Sequence, residues 1–356
     1  MVHTTRRRLQ RAGALAIAAT LLVAGCSQGS EAPAPEATTV APTLDPHKAA
    51  APEPVVPATW PLTGVAGEVA NRPALAVKVE NTATARPQSG LEQADVVWET
   101  IVEFDVSRLV AVFHSQIPTE IGPIRSVRPM DPDIVAPLNG LLTFSGGQPG
   151  ILALVDASPV QPISHDAGAA GLYRVSSRKA PHNVYGDPNA LWAQADANHQ
   201  NSPGQQFDFA RSPERATAVT DGTPATTLAF DLSSQSKPSW TWNGTVWERS
   251  EGTTPATDAT GARLTATNVV SIVADHPGTG FGAQNGAIVP TYVLGGGSGD
   301  GTLATGGKTV PVRWQKESRD APMVLTTADG RTAELAPGNT WVELVPNNGS
   351  ASLTVS

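Results

Sequence analysis

The residues able to do chemistry in this sequence form a run of opposite charges between Arg86 and Asn183. Glu99 and Glu103 fall in residues 96–103, whose β-branched and aromatic composition predicts a strand. With a two-residue side-chain period, Glu99, Ile101 and Glu103 share one face, while Trp98, Thr100 and Val102 share the other. Arg86, Arg108, Arg125 and Arg128 surround this strand in sequence, and Arg178, Lys179, His182 and Asn183 follow together in one loop. Lone charges are costly to bury, so these groups must find partners. Three readings stay open: a structural salt-bridge network, a ligand site, or a catalytic site.

Chemistry narrows them unevenly. Two carboxylates four residues apart on one strand lie about 13 Å apart. That exceeds the ~5 to 9.5 Å of a glycosidase pair. Each carboxylate is better suited to orienting an arginine, and oriented arginines can clamp a carboxylate or phosphate. Arg86, Glu99, Glu103, Arg108, Arg125, Arg128, Arg178, Lys179, His182 and Asn183 are therefore the candidate ligand-binding set. A hydrolase using His182 with Glu99 or Glu103 is the alternative; Ser176 and Ser177 lie near His182 in sequence, but reach is not readable there. No cofactor and no metal is expected, because the histidines lack ligand spacing and Cys26 is the only cysteine. Gly307-Lys308-Thr309 lacks the first glycine of a phosphate loop, and Thr143 stands where a nucleophile elbow at Ser145 needs glycine.

The elements that must hold these residues come next. Residues 74–80, 96–103, 108–115 and 141–144 read as strands. Residues 130–138, 149–157 and 187 to about 198 read as helices, the last with Asp187 as N-cap and Pro188 at the first helical position. The alternation predicts an α/β domain with a mixed sheet over 60–199. Residues 200–225 read as a linker or long loop, and 226–356 as a β-rich domain, giving α+β overall. Asn243-Gly244 and Asp329-Gly330 are hairpin signals of type I′. Further strands are expected at 268–274, 288–294, 310–315 and 341–345, with 295–301 as flexible punctuation. The tryptophans of the β-rich part are expected to pack across strands.

The N-terminus predicts an address. Arg6, Arg7, Arg8 and Arg11 precede a short apolar run, and Val23-Ala24-Gly25 leads into Cys26. This is a secretory signal over residues 1–25, resembling a bacterial lipobox in which Cys26 carries the lipid. Residues 26–59, rich in Ala and Pro, are the expected tether. Without the signal, 20 basic residues face 32 acidic ones, a net charge of −12. That balance argues against nucleic acid as a partner. The partners expected are the membrane, through Cys26 and its palmitate, and an anionic envelope polymer, peptidoglycan or envelope protein.

A resemblance covers residues 60–346. Pro61-Leu-Thr-Gly64, Asn81, Arg86-Pro-Gln-Ser-Gly90, Ala94-Asp95, Glu99, Glu103 and Arg108 resemble the YerB-like lipoprotein family. So do Gly122-Pro-Ile-Arg-Ser-Val-Arg128 and Ser177-Arg-Lys-Ala-Pro-His-Asn183, and in the β-rich part residues 265–270 and Pro337-Gly-Asn-Thr-Trp-Val342. The resemblance implies an anchored bacterial envelope lipoprotein with a domain in each half, and no particular reaction.

Overall fold

The structure, a computed structural model, describes residues 57–356. The expected signal peptide, Cys26 and nearly all of the expected tether lie outside the described residues. The N-terminal part is a mixed α/β arrangement and the C-terminal part is dominated by antiparallel sheet, α+β overall.

The N-terminal part contributes β1 (Leu75–Glu80), β2 (Val96–Ile101), β3 (Ser107–Phe113), β4 (Leu141–Phe144) and β5 (Gln161–Ser164). The first four are buried at every position, and their sequences are correspondingly near-continuous in Val, Leu, Ile and Phe. The C-terminal part adds β6 (Thr227–Asp231), β7 (Pro238–Trp242), β8 (Trp247–Glu251), β9 (Asn268–Ala274) and β10 (Ser298–Thr305). It continues with β11 (Lys308–Gln315), β12 (Val324–Thr326), β13 (Thr340–Pro346) and β14 (Ser352–Val355). One 11-stranded sheet runs β12-β11-β10-β9-β13-β2-β3-β1-β4-β5, with Thr223–Pro224 beside β11. The seam between the halves is therefore backbone pairing: β13 runs parallel to both β2 and β9, so Glu343 lies directly across from Glu99. A second sheet contains β8-β7-β6-β14.

The helices are short. They are α1 (Asp131–Val135), α2 (Pro149–Asp156), α3 (Pro188–Trp192) and α4 (Thr217–Asp221). The Asp187 carboxylate accepts from the amides of Asn189 and Ala190, as its N-cap position requires. α3 stops at Trp192 rather than near residue 198. Asp196 accepts from the Asn198 amide instead, and this local turn competes with the helix. Residues 200–225 carry α4 and bury Phe207, whose ring stacks on Trp98 at 6.0 Å.

Three local expectations are corrected. Trp242 pairs with Trp247, leaving a four-residue loop in which only Gly244 has positive φ; Asn243 instead accepts from the amides of Thr245 and Val246. At Asp329-Gly330 only the glycine is left-handed, so neither turn is type I′. The two-residue turn with both φ positive is Gly306-Gly307, between Thr305 and Lys308. Ser298 to Gly301, expected as flexible, is strand. A side chain at Gly299 would lie 2.5 Å from the Val273 carbonyl and 2.7 Å from the Trp314 indole nitrogen, so glycine here permits close strand approach. Residues 288–294 are strand only over Ile288–Pro290.

Candidate functional site

The register of β1, β2 and β3 sorts the charges onto two faces. Arg108 lies across from both Glu80 and Thr100, so these share one face with Lys78. Glu99 pairs with Leu109 and points to the other face. Glu103 does not share the Glu99 face, contrary to the alternation read from sequence. β2 ends at Ile101, and residues 103–105 form a tight turn in which Phe104 (φ 65°) and Asp105 (φ 58°) are left-handed. That turn carries the Glu103 carboxylate to Arg108.

On the Arg108 face lies an open cleft of about 610 Å³, lined by Glu80, Glu103, Arg108, Arg125, Arg128 and His182, among others. Glu103 receives the Arg128 guanidinium through both Nε (2.6 Å) and Nη2, and Arg108 at 3.3 Å. Burial opposes the Glu103 charge, but the Arg128 hydrogen bonds and the charges of both arginines outweigh it and hold Glu103 down at about 2. Beneath, the buried Lys78 meets Asp131 at 2.7 Å, and Asp131 accepts from the Arg128 amide at 2.7 Å. Burial lowers Lys78 to about 8, against the opposing pull of Asp131. The Arg128 backbone is thus fixed from below and its side chain from the side.

The outer half of the cleft is less saturated. Glu80 accepts from Thr82 and lies 2.8 Å from His182 Nδ1. The buried Arg125 Nε lies 3.5 Å from Glu80 without forming a hydrogen bond, Nη1 donates to the Pro181 carbonyl at 3.3 Å, and Nη2 donates to no described residue. Gly147 and Gln148, at the start of α2, complete that wall, and Gln148 makes no side-chain cap. Helix N-termini favour negative charge. Asp166, on the far rim, is exposed and bonds His165 at 3.2 Å.

On the opposite face the ions are buried more deeply, although Arg249 and Glu251 also line a cavity. Arg249 is fully buried and reaches Glu99 at 2.5 Å, Glu251 at 2.8 Å and Glu343 at 2.8 Å, with its guanidinium 4.6 Å from the Trp341 ring centre. Asn81 and Ser236 also bind Glu99, and Trp240 donates to Glu343. Burial and the neighbouring Glu99 charge push Glu343 well above the usual carboxylate range, whereas the Arg249 charge overcomes burial and lowers Glu99. Of the two carboxyls, Glu343 is the one whose charge the surroundings disfavour. Arg86, 3.0 Å from Glu251, sits at the rim of a separate cavity of about 360 Å³ on this face.

The candidate set thus divides. Glu103, Arg108, Arg125, Arg128 and His182 converge on the cleft, while Glu99 belongs to the buried Arg249 cluster and Arg86 to its partly exposed rim. Arg178 lines neither cavity and binds the carbonyls of Thr84 and Pro87. Lys179 is exposed, and Asn183 is buried between Arg174 and the Val175 carbonyl. His182 pairs with Glu80, not with Glu99 or Glu103, which corrects the expected acid–base partners. Among the described residues no hydroxyl hydrogen-bonds His182 Nε2. Glu80, Arg249, Glu251 and Glu343 were missed by sequence reasoning. Only Glu80, ending a strand that also carries Lys78, offered a usable signal: two charges at alternate positions of an apolar strand.

Fold and site together define a two-part α+β protein with an arginine-lined cleft on one face of its sheet and a buried ion cluster on the other. The chain belongs to the family described as "Protein of unknown function (DUF3048)", whose N-terminal domain matches residues 62–201 and whose C-terminal domain matches residues 227–342. It is 26% identical over 305 residues to "Putative lipoprotein YerB" of Bacillus subtilis (strain 168), covering 83% of this chain and 88% of that protein. The crystal structure of the YerB protein from Bacillus subtilis superposes with a TM-score of 0.69 at 25% identity, covering 83% of this chain and 99% of that one.

Proposed function

We propose that this chain is a lipid-anchored protein of the extracytoplasmic face whose cleft binds an anionic component of the cell envelope. The observation that carries the reading is Arg125. Three guanidinium groups face the cleft against two buried carboxylates, and Arg125, whose side chain is 21% exposed, has an Nη2 that donates to no described residue. A phosphate or carboxylate would complete it with a charge-assisted contact. The address rests on the basic n-region, the apolar run and Cys26 in the sequence, and on the lipoprotein name of the Bacillus relative. Among the described residues no helix is long and apolar enough to cross a membrane.

The test is co-sedimentation of the purified protein with sacculi bearing or stripped of their phosphate polymers. Binding should fall with salt, as charge contacts do, and should be lost in Arg125→Ala. Equal retention by stripped and unstripped sacculi, or by Arg125→Ala, would refute the cleft. Cys26→Ser should move the protein from the membrane to the soluble fraction; membrane retention would refute the anchor.

The hydrolase reading keeps one observation, the His182–Glu80 contact, which is an imidazole oriented by a carboxylate. No nucleophile completes it among the described hydrogen bonds, so binding is the function that the geometry supports best.

A further inference from the structure

The turn that delivers Glu103 to Arg128 also places an aromatic ring at the mouth of the cleft. Phe104 lines the cleft and is 51% exposed, although its ring is among the larger apolar groups of the chain. Isolated exposed apolar residues are ordinary on a protein surface. Phe104 differs in its backbone: it is left-handed (φ 65°, ψ 23°), as is Asp105 after it. That conformation costs roughly 1–2 kcal/mol for a residue with a Cβ, and a glycine would take it freely. The turn therefore has no backbone use for phenylalanine; what the side chain supplies is the ring.

The backbone that carries the ring is also fixed. The Val102 amide donates to the Val106 carbonyl at 2.9 Å, closing the turn. From the C-terminal part, the Ser233 hydroxyl donates to the Asp105 carbonyl at 2.6 Å and Ser234 to the Asp105 carboxylate at 2.8 Å. Strained residues persist where their surroundings over-determine them, and they gather at binding sites. The hairpin strand Ile288–Pro290 packs beside this turn, and Ala283 and Gln284 from the same hairpin form the facing wall.

Size and lining then restrict the occupant. A lone phosphate fills a small part of about 610 Å³. Beyond the arginines and the apolar Phe104, Val106, Pro181 and Ala283, the walls offer Thr82, Ser126, Gln148 and Gln284, groups that exchange hydrogen bonds with hydroxyls and leave a long alkyl chain poorly matched. We infer that the cleft takes an acidic saccharide, its phosphate or carboxylate on Arg125 and one ring face against Phe104. This inference rests on the anion-binding reading above and adds the class of ligand.

The test compares inorganic phosphate, glucose 1-phosphate and hexyl phosphate by calorimetric titration of the full chain. Glucose 1-phosphate is expected to bind about tenfold more tightly than phosphate, the scale of one aromatic contact with a partly buried face. Hexyl phosphate should bind no better than phosphate. Phe104→Ala should erase the glucose 1-phosphate advantage, Phe104→Tyr should retain it, and Arg125→Ala should weaken all three probes. The saccharide inference fails alone if Arg125 matters but glucose 1-phosphate has no advantage, if that advantage survives Phe104→Ala, or if hexyl phosphate shares it. Both readings fail together if no probe binds or if Arg125→Ala binds as the parent does.

Discussion

Two ion clusters lie back to back on strands β1, β2 and β3, built from the same residue types and held in different surroundings. In the Arg249 cluster one buried guanidinium is shared by three carboxylates and walled by Trp240 and Trp341, with Glu251 reaching the neighbouring cavity. In the cleft three guanidinium groups face the buried Glu80 and Glu103 and the exposed Asp166, and the Arg125 Nη2 donates to no described residue. The difference lies in hydrogen-bonding capacity: on the cleft side it exceeds what the described residues consume. Burial decides the rest, because a sealed ion without a partner is too costly to keep.

The comparison can be broken by removing one guanidinium from each side. Arg249→Met should cost about 3–5 kcal/mol, because the fully buried Glu99 loses its counter-charge while Glu251 keeps Arg86. Arg125→Ala should cost under about 1 kcal/mol, since its Glu80 contact is long and partly solvated. Urea unfolding of the two variants measures the difference, and equal losses would erase the distinction between buried and open clusters.

A second, smaller contrast is the pH dependence. Glu343 is raised in the folded protein, so folding takes up a proton and stability falls as pH rises from the ordinary carboxylate value of 4.5 toward the folded value. Glu343→Gln keeps the neutral shape without that proton. Its stability relative to the parent should climb by about 1.4 kcal/mol per pH unit through this window. A pH-independent difference would mean that Glu343 is ionised. Glu103 has the opposite sign. Its folded value is depressed to about 2, so its contribution is complete above 4.5 and is lost as pH falls toward 2. Glu103→Gln should cost about 1–3 kcal/mol near neutrality and nothing at pH 2. Chemical denaturation across pH 2–8 checks both signs at once.

The smallest expected change sharpens the cleft itself. Phe104→Gly should stabilise the 103–105 turn by about 1 kcal/mol, by relieving a left-handed residue whose ring is half in water. Thermal unfolding reads this, and a destabilised variant would show that the ring is packed rather than presented.

Residue order alone carried much of this. Runs such as Leu75–Glu80 and Asn268–Ala274 are apolar enough that burial and strand follow from composition. Asp187-Pro188 starts a helix through local hydrogen bonding. The motifs spanning both halves marked the family, and five of the ten candidate residues do meet in one cleft. Each of these depends on neighbours within a few positions in the chain.

What the chain order could not carry was which charge faces which. Glu99 and Glu103 sit four residues apart, and alternation puts them on one face; two left-handed residues after Ile101 send Glu103 to the other. Arg249 stands 150 residues from Glu99, yet the parallel pairing of β13 with β2 brings Glu343 alongside Glu99 and leaves one buried place for a guanidinium between them. Local propensity sets the strands, whereas ion pairing is long-range and is fixed only when the sheet closes its register.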